Sequence, residues 1–357
     1  MGSSARWSGT ANGTTGCEEP NEMPAQLDST FLRLAPGRAA SRLIGYSLFE
    51  GRPVTTRGRR WNPVVFKNLR FAAGRMGKQV YRPVFILGMG RSGTTVLGRI
   101  LSIHPSVGFL NEPKAMWHVI RDDEDIIGSY APPHTGRLYL DAEDANGDVS
   151  TRARALYTWY LRASHSKRIV DKSPELIFRQ DFVRTIFPDA LFLIAVRSPW
   201  STLKSVAKWS KWHTTDDANW WGVRDQKWDI FWTQGVVERT SNSDLVTLDL
   251  AGEKDDHIRA AVEWVVTMRE AISLAAADPL AQIIRYEDLV RSPRELIRET
   301  LRFCELPASS RTEAYADAIV SPQESNGDRH ASSLHLPDGL ASAIDETWSR
   351  LDTIDQE

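Results

Sequence analysis

Val84-Phe-Ile-Leu-Gly-Met-Gly-Arg-Ser-Gly-Thr-Thr95 is the stretch whose reading decides the fold. Its four opening apolar residues end at a glycine, as in a short strand buried on both faces of a parallel sheet. From Thr95 to Ile103 the residues Val96, Leu97, Ile100, Leu101 and Ile103 recur at helical spacing. Strand, glycine-rich loop and helix in this order leave a ring of backbone N–H groups at a helix N-terminus, which suits a compact anion. Gly88, Gly93 and Thr95 match the frame of a Walker loop, but its lysine position holds Thr94. The main contact to a γ-phosphate is therefore missing, which argues against ATP hydrolysis or phosphoryl transfer.

The same unit recurs downstream. Arg168-Ile-Val170 reads as a strand, and Ser173-Pro174-Glu175 as a helix start. Ala190 to Val196 is the clearest buried strand; it runs into Arg197, and Ser198-Pro199 opens another helix. Ala281 to Tyr286 is a further strand, and Ser292-Pro-Arg-Glu295 has the form of a capping box before Leu296, Ile297, Leu301 and Phe303. Strands alternating with helices predict an α/β protein of P-loop-like architecture. It would be a three-layer sandwich with a central parallel sheet, helices on both faces and a ligand at the carboxyl ends of the strands. Residues 121–150 and 233–256 read as polar insertions, and a last helix is expected around Leu340 to Leu351.

Composition narrows the class. The 357 residues are 41% hydrophobic and 25% charged with a formal net charge of −2, so whole-molecule charge points to neither nucleic acid nor a membrane. Cys17 and Cys304 give neither a disulfide framework nor a metal-ligand spacing. No apolar run approaches the roughly 20 residues needed to span a bilayer, and the first thirty residues lack a signal peptide's basic start and apolar stretch. These features read as a cytoplasmic, soluble protein. Residues 1–28 lack apolar periodicity and are expected to be a disordered tail. Residues 29–80 read as a basic extension packed on the domain, with nine Lys or Arg and no acid between Gly51 and Arg82. That charge fits either a solvated surface or helix folded against the domain, or a contact for an anionic partner or membrane surface.

Arg91-Ser-Gly-Thr-Thr95 resembles the loop with which sulfotransferases bind the 5′-phosphosulfate of 3′-phosphoadenosine 5′-phosphosulfate. Arg197 at the end of a strand, with Ser205 eight residues on, is similar to that family's 3′-phosphate motif. Ser205 lies about two turns into the helix that Ser198-Pro199 opens, and Arg197 is a planar, permanently charged donor suited to phosphate. The arginine form of the loop looks most like the tyrosylprotein and related bacterial branches. The resemblance implies a sulfotransferase domain over 81–357 whose insertions at 206–260 cover the acceptor, and an enzyme that sulfates a hydroxyl without a metal.

What the resemblance implies for single residues can be stated by number. Glu112, in Asn111-Glu-Pro113, would be the general base. Lys172 and Arg91 would stabilise the sulfuryl and leaving oxygens. Gly90, Arg91, Ser92, Gly93, Thr94 and Thr95 would hold the 5′ end, Arg197 and Ser205 the 3′-phosphate, and Tyr286 the adenine. Each has a plainer reading: Glu112 as an exposed loop acid, Lys172 as neutraliser of Asp171, Tyr286 as a core residue. His104, His118 and His213 are rival bases, His104 as a helix cap and His213 within reach of the acceptor. Six of the 13 Trp fall between Trp209 and Trp232, and read equally as an aromatic acceptor wall or as core. The acceptor could be a protein tyrosine, a carbohydrate, a lipid or a small molecule. The alternatives to a sulfotransferase are a P-loop nucleotide kinase and a non-catalytic nucleotide-binding protein.

Overall fold

The computed structural model describes residues 26–214, 218–320 and 334–354. Five parallel strands form its centre: β1 (Val84–Gly88), β2 (Val107–Asn111), β3 (Arg168–Lys172), β4 (Leu191–Val196) and β7 (Ala281–Arg285). Their spatial order is β2-β3-β1-β4-β7, so β1 is flanked by two strands that come later in the chain. A small antiparallel pair, β5 (Ala218–Asn219) and β6 (Gly222–Val223), stands apart.

Alternation along each strand divides the core in two. Val84 and Ile86 of β1 point with Val107, Val170 and Leu193 to one side. The helices packed there are α1 (Ser29–Leu34), α4 (Thr94–Ser102), α12 (Tyr286–Arg291), α13 (Pro293–Phe303) and α14 (Ser310–Ile319). Phe85 and Leu87 point to the other side with Leu110, Ile169 and Ile194. That side carries α3 (Asn62–Ala73), α5 (Lys114–Ile120), α6 (Gly147–Ala163), α7 (Gln180–Ile186), α8 (Pro199–His213), α11 (Asp256–Ala277) and α15 (Asp338–Ile354). The remaining helices are α2 (Pro36–Leu48) and the short α9 (Gln226–Ile230) and α10 (Ser243–Val246). The fold is the three-layer α/β sandwich that the strand–loop–helix alternation predicts.

Several local expectations are corrected. Ser173-Pro174 does not open an α-helix; Pro174–Arg179 is a 3-10 turn and α7 begins only at Gln180. Ser292 makes no side-chain cap on α13, because the extra helix α12 intervenes after β7 and sets the chain's entry. The stretch 121–150 includes a 3-10 turn at Asp122–Glu124 and the start of α6, and 233–256 includes π-helical turns to Val237 and α10. The long helix α11 has no sequence signature because it is buried on almost every side, with Arg259 and Glu263 inside beside Val262, Trp264 and Val266. Of the expected tail, residues 1–25 lie outside the described residues; Leu27 is buried, and the Asp28 side chain caps α1 through the Phe31 N–H at 2.8 Å. The 321–333 loop also lies outside the described residues.

Phe85 is fully buried and meets the rings of Trp117, Tyr157, Phe187 and Phe192 at centroid distances of 5.8 to 6.4 Å. Phe85→Ala should therefore cost about 3–5 kcal/mol. Phe71, 54% exposed on α3, should cost no more than about 0.5 kcal/mol as Ala. Urea unfolding midpoints of the two variants check both values.

Candidate active site

Parallel strands bring their carboxyl ends to one edge of the sheet. In register, Asn111 pairs with Lys172, Ile86 with Lys172, and Gly88 with Ala195. The order of groups along that edge is therefore Glu112 after β2, Lys172 ending β3, the loop after β1, Arg197 after β4 and Tyr286 after β7. The chain adds β2 and β3 on one side of β1, and β4 and β7 on the other, which makes this a topological switch point.

The loop turns into α4 with Gly93 at the N-cap (φ +88°) and no side chain capping the helix. A Cβ at Gly93 would stand 2.4 Å from the Tyr286 ring, so only glycine allows both this backbone and that ring. Gly90 meets the edge of Trp220, whose ring would be 2.7 Å from an added Cβ. Ser92 is 1% exposed and its Oγ lacks a hydrogen-bond partner among the described residues. A buried hydroxyl and uncapped N–H groups at one helix end form a cradle for an anion.

The two distant motifs meet at this loop. Arg91 Nε donates to Ser205 Oγ at 3.0 Å, and an Arg197 guanidinium nitrogen donates to the Arg91 carbonyl at 3.0 Å. Arg197 also lies over the Tyr286 ring, 4.4 Å from its centroid, and its own carbonyl accepts from Trp264 Nε1 at 3.1 Å. Glu287 accepts from the Ser198 N–H at 2.9 Å, tying the end of β7 to the start of α8. Arg91, Arg197, Ser205 and Tyr286 thus form one cationic and aromatic group on the β4 side.

On the β2–β3 side, Lys172 Nζ and Glu112 Oε1 form an ion pair; Lys172 is 2% exposed and Glu112 40%. Glu112 has left-handed backbone (φ +47°), and its N–H bonds the Lys172 carbonyl at 2.8 Å. Burial pushes the Glu112 carboxyl up, but Lys172 and Lys114 together outweigh it and hold it below its ordinary value. Lys172 does not neutralise Asp171, which points to the other face of β3. Asp171 is instead satisfied by Tyr157 Oη, by Ser173 Oγ at 2.7 Å and by Trp117 Nε1 at 3.2 Å, while burial pushes its carboxyl up to about 6.

Sequence reading missed the residues that hold this corner. Arg42 of α2 pairs with the buried Glu50, which accepts from the Asn111 N–H at 2.9 Å. The Glu50 carbonyl accepts from the Ala115 N–H at 3.2 Å, so one residue of the N-terminal extension straddles Glu112. Lys114 pairs with Glu175 at 2.6 Å, and Lys227 with Glu263 at 2.7 Å. Glu263 also accepts from Trp220 Nε1 at 2.9 Å, and Lys227 lies 4.8 Å from the Trp220 ring centroid. Charges spaced over hundreds of residues carry no common periodicity, so no sequence signal points to this set.

The tryptophans divide. Trp221 and Trp228 are fully buried and stack edge-on at 5.5 Å, which is core packing. Trp209 and Trp220 meet at 5.1 Å beside Gly90. His104 is buried on the far side of the sheet, bonded to the Pro307 carbonyl at 3.0 Å, and burial lowers its pKa. His118 packs on Phe66 and Tyr130, away from the strand ends. The His213 side chain lies outside the described residues. Among the described residues, no three His, Cys, Asp or Glu are arranged to hold a metal, and no helix is long and apolar enough to cross a membrane.

Residues 83–241 match the model of the "Sulfotransferase family". The nodulation protein NoeE of Sinorhizobium fredii is 26% identical over 221 residues, which cover 61% of this chain and 48% of that protein. The protein-tyrosine sulfotransferase of Drosophila melanogaster is 23% identical over 244 residues, 68% of this chain and 40% of that protein. The chain thus spans about half the length, or less, of the curated relatives it matches. Among solved structures, the sulfotransferase domain from the curacin biosynthetic pathway is 18% identical, covering 77% of this chain and 99% of that one with a TM-score of 0.47. Over residues 83–241 the chain is thus similar to the sulfotransferase family.

Lys114 and Lys227 outweigh the burial of Glu175 and lower its carboxyl from 4.5 to about 2. A depressed carboxylate pKa adds stability that is present above about 4.5 and lost as the pH falls towards 2. Glu175→Gln should therefore lower stability by roughly 2–3 kcal/mol at pH 7. The gap to the parent protein should close on acidification, and thermal melting of both at pH 7 and pH 3 checks it.

Proposed function

We propose that the protein transfers a sulfuryl group from 3′-phosphoadenosine 5′-phosphosulfate to a hydroxyl acceptor. The observation that supports this most is that an uncapped helix end with the buried Ser92 hydroxyl stands beside a second cationic group, Arg197 with Ser205, at one loop. Arg91, Arg197 and Ser205 join the loop to the β4 side, and the Glu112–Lys172 pair stands ready for the acceptor on the β3 side. A nucleotide phosphorylated at both ends has two separated anionic groups to match the helix end and that cationic group. In this reading Gly90 to Thr95 hold the 5′ end, Arg197 and Ser205 the 3′-phosphate, and Tyr286 the adenine.

The chemistry follows from charge. The acceptor oxygen attacks sulfur in line with the bridging oxygen; the new S–O bond forms as the bond to that oxygen breaks. The electron pair stays on the departing phosphate, and the acceptor proton passes to the Glu112 carboxylate. Lys172 and Arg91 offset the negative charge that grows on the leaving and sulfuryl oxygens. The free state clamps Glu112 with Lys172, which makes it a weak base. Sulfuryl oxygens would compete for that ammonium, so donor binding itself frees Glu112 and raises its basicity. No step in this scheme calls for a metal. The Trp209–Trp220 edge beside Gly90 stands where the insertion at 206–260 would cover the acceptor. The acceptor class extends from a protein tyrosine, as in the name of the fly relative, to a carbohydrate, lipid or small-molecule hydroxyl.

Titration calorimetry tests the donor. 3′-Phosphoadenosine 5′-phosphate should bind without magnesium and ATP should not; the reverse would favour a kinase. Glu112→Gln and Lys172→Ala should bind that nucleotide yet lose transfer of labelled sulfate to a hydroxyl acceptor by about 100-fold or more. Arg197→Ala should weaken nucleotide binding itself. Normal transfer by both Glu112→Gln and Lys172→Ala would reject the site. Nucleotide binding without turnover by the parent protein on any hydroxyl acceptor would favour a non-catalytic binding protein.

A further inference from the structure

The basic extension does more than pack on the domain. Helix α3 buries Val65, Leu69 and Ala72 against α5 and α6, one stripe at helical spacing. Its opposite face follows Arg60, Val64, Lys67, Phe71 and Arg75, and is exposed along its whole length. Large apolar groups stand open to water there: Trp61 at 45%, Phe71 at 54% and, just past the helix, Met76 at 92%. The cations between them are not neutralised. Among the described residues, Arg59, Arg60, Lys67, Arg70 and Arg75 form no ion pair with an acid, and the chain has no Asp or Glu from Gly51 to Arg82. Arg75 lies 4.0 Å from the Phe71 ring centroid and Arg70 5.5 Å from that of Phe66, so cations and rings share one surface. Beside it, a groove between α3, α5 and α6 has Phe66, Ala73 and Val149 as apolar lining, with Arg70 and Arg152 among its cations.

We propose that this face of α3 docks the protein on an anionic lipid surface. Cations interleaved with large apolar side chains on one exposed helix face match anionic headgroups above an acyl boundary. Phosphate headgroups pair with arginine and lysine, while Trp61, Phe71 and Met76 enter the acyl boundary. The whole chain carries a net charge of −2, so attraction to anions belongs to this face and not to the molecule at large. The helix itself is anchored by its buried stripe and by Asn68, which donates to the Leu48 carbonyl at 2.9 Å and accepts from Trp159 Nε1 at 3.2 Å. The outer face is thus presented by a fixed scaffold.

Vesicle co-sedimentation tests this without any reliance on turnover. The full chain should sediment with phosphatidylglycerol-containing vesicles, not with pure phosphatidylcholine, and added salt should weaken the binding. Arg59→Glu/Arg60→Glu/Lys67→Glu should reduce binding by about tenfold or more with an unchanged melting temperature. If that variant melts early, the neutral Arg59→Gln/Arg60→Gln/Lys67→Gln form should show a graded loss. Phe71→Ser/Met76→Ser should also weaken binding while leaving its salt dependence in place. No sedimentation with anionic vesicles overturns the proposal, as does equal binding by a folded charge variant. Capture of a labelled RNA by a protein that ignores vesicles also overturns it and assigns the face to nucleic acid.

Discussion

A lysine ammonium that is 2% exposed must find an anion, and in this protein it finds Glu112. That pair is the constraint on which the site depends. It requires β2 and β3 to end side by side in register, because the Glu112 N–H takes the Lys172 carbonyl as the next rung after Asn111. It also requires the left-handed turn at Glu112, which swings the carboxylate back over the strand ends. The remaining charges nearby are paired in turn: Lys114 with Glu175, and Arg42 with Glu50. Removing Glu112 or either member of the Arg42–Glu50 pair leaves an uncompensated charge where solvent hardly reaches.

The second organising feature is the meeting of the loop with the two later strands. Arg91 reaches Ser205 on α8, Arg197 returns to the Arg91 carbonyl, and Tyr286 packs on Gly93. Three segments separated by about a hundred residues each are thereby locked into one wall. Its parts sit on the end of a buried strand, on the first turns of a helix or, for Arg91, on the short turn that joins β1 to α4. The N-terminal extension belongs to the same construction. Through Glu50 it supports Asn111 and Ala115, one residue before and three residues after Glu112. A segment that reads as peripheral is therefore part of the support for the strand ends.

Legibility in the sequence follows burial and distance. β1 and β4 were readable because strands buried on both faces are continuous apolar runs. Asp171 misled in the opposite way: a charge next to Lys172 in sequence suggests a pair, yet successive strand residues face opposite sides. The capping box at Ser292 has the right letters, but a helix can be entered from another helix, and α12 takes that role. The tryptophan cluster could not be divided by spacing, since Trp220 and Trp221 are neighbours in the chain and only one is fully buried.

What the sequence determined by itself was the chemistry of the loop: glycines where a backbone must turn left-handed, a threonine in place of the Walker lysine, and an arginine at a strand end. Those are properties of single residues and short spacings, so no other part of the chain is needed to read them. What only the tertiary structure decided was partnership. Lys172 belongs to Glu112, Glu50 holds Asn111, and Trp220 rather than Trp221 faces Gly90. Each of these joins groups from different strands or helices, and the distance between them is set by strand order and register, which no local pattern encodes.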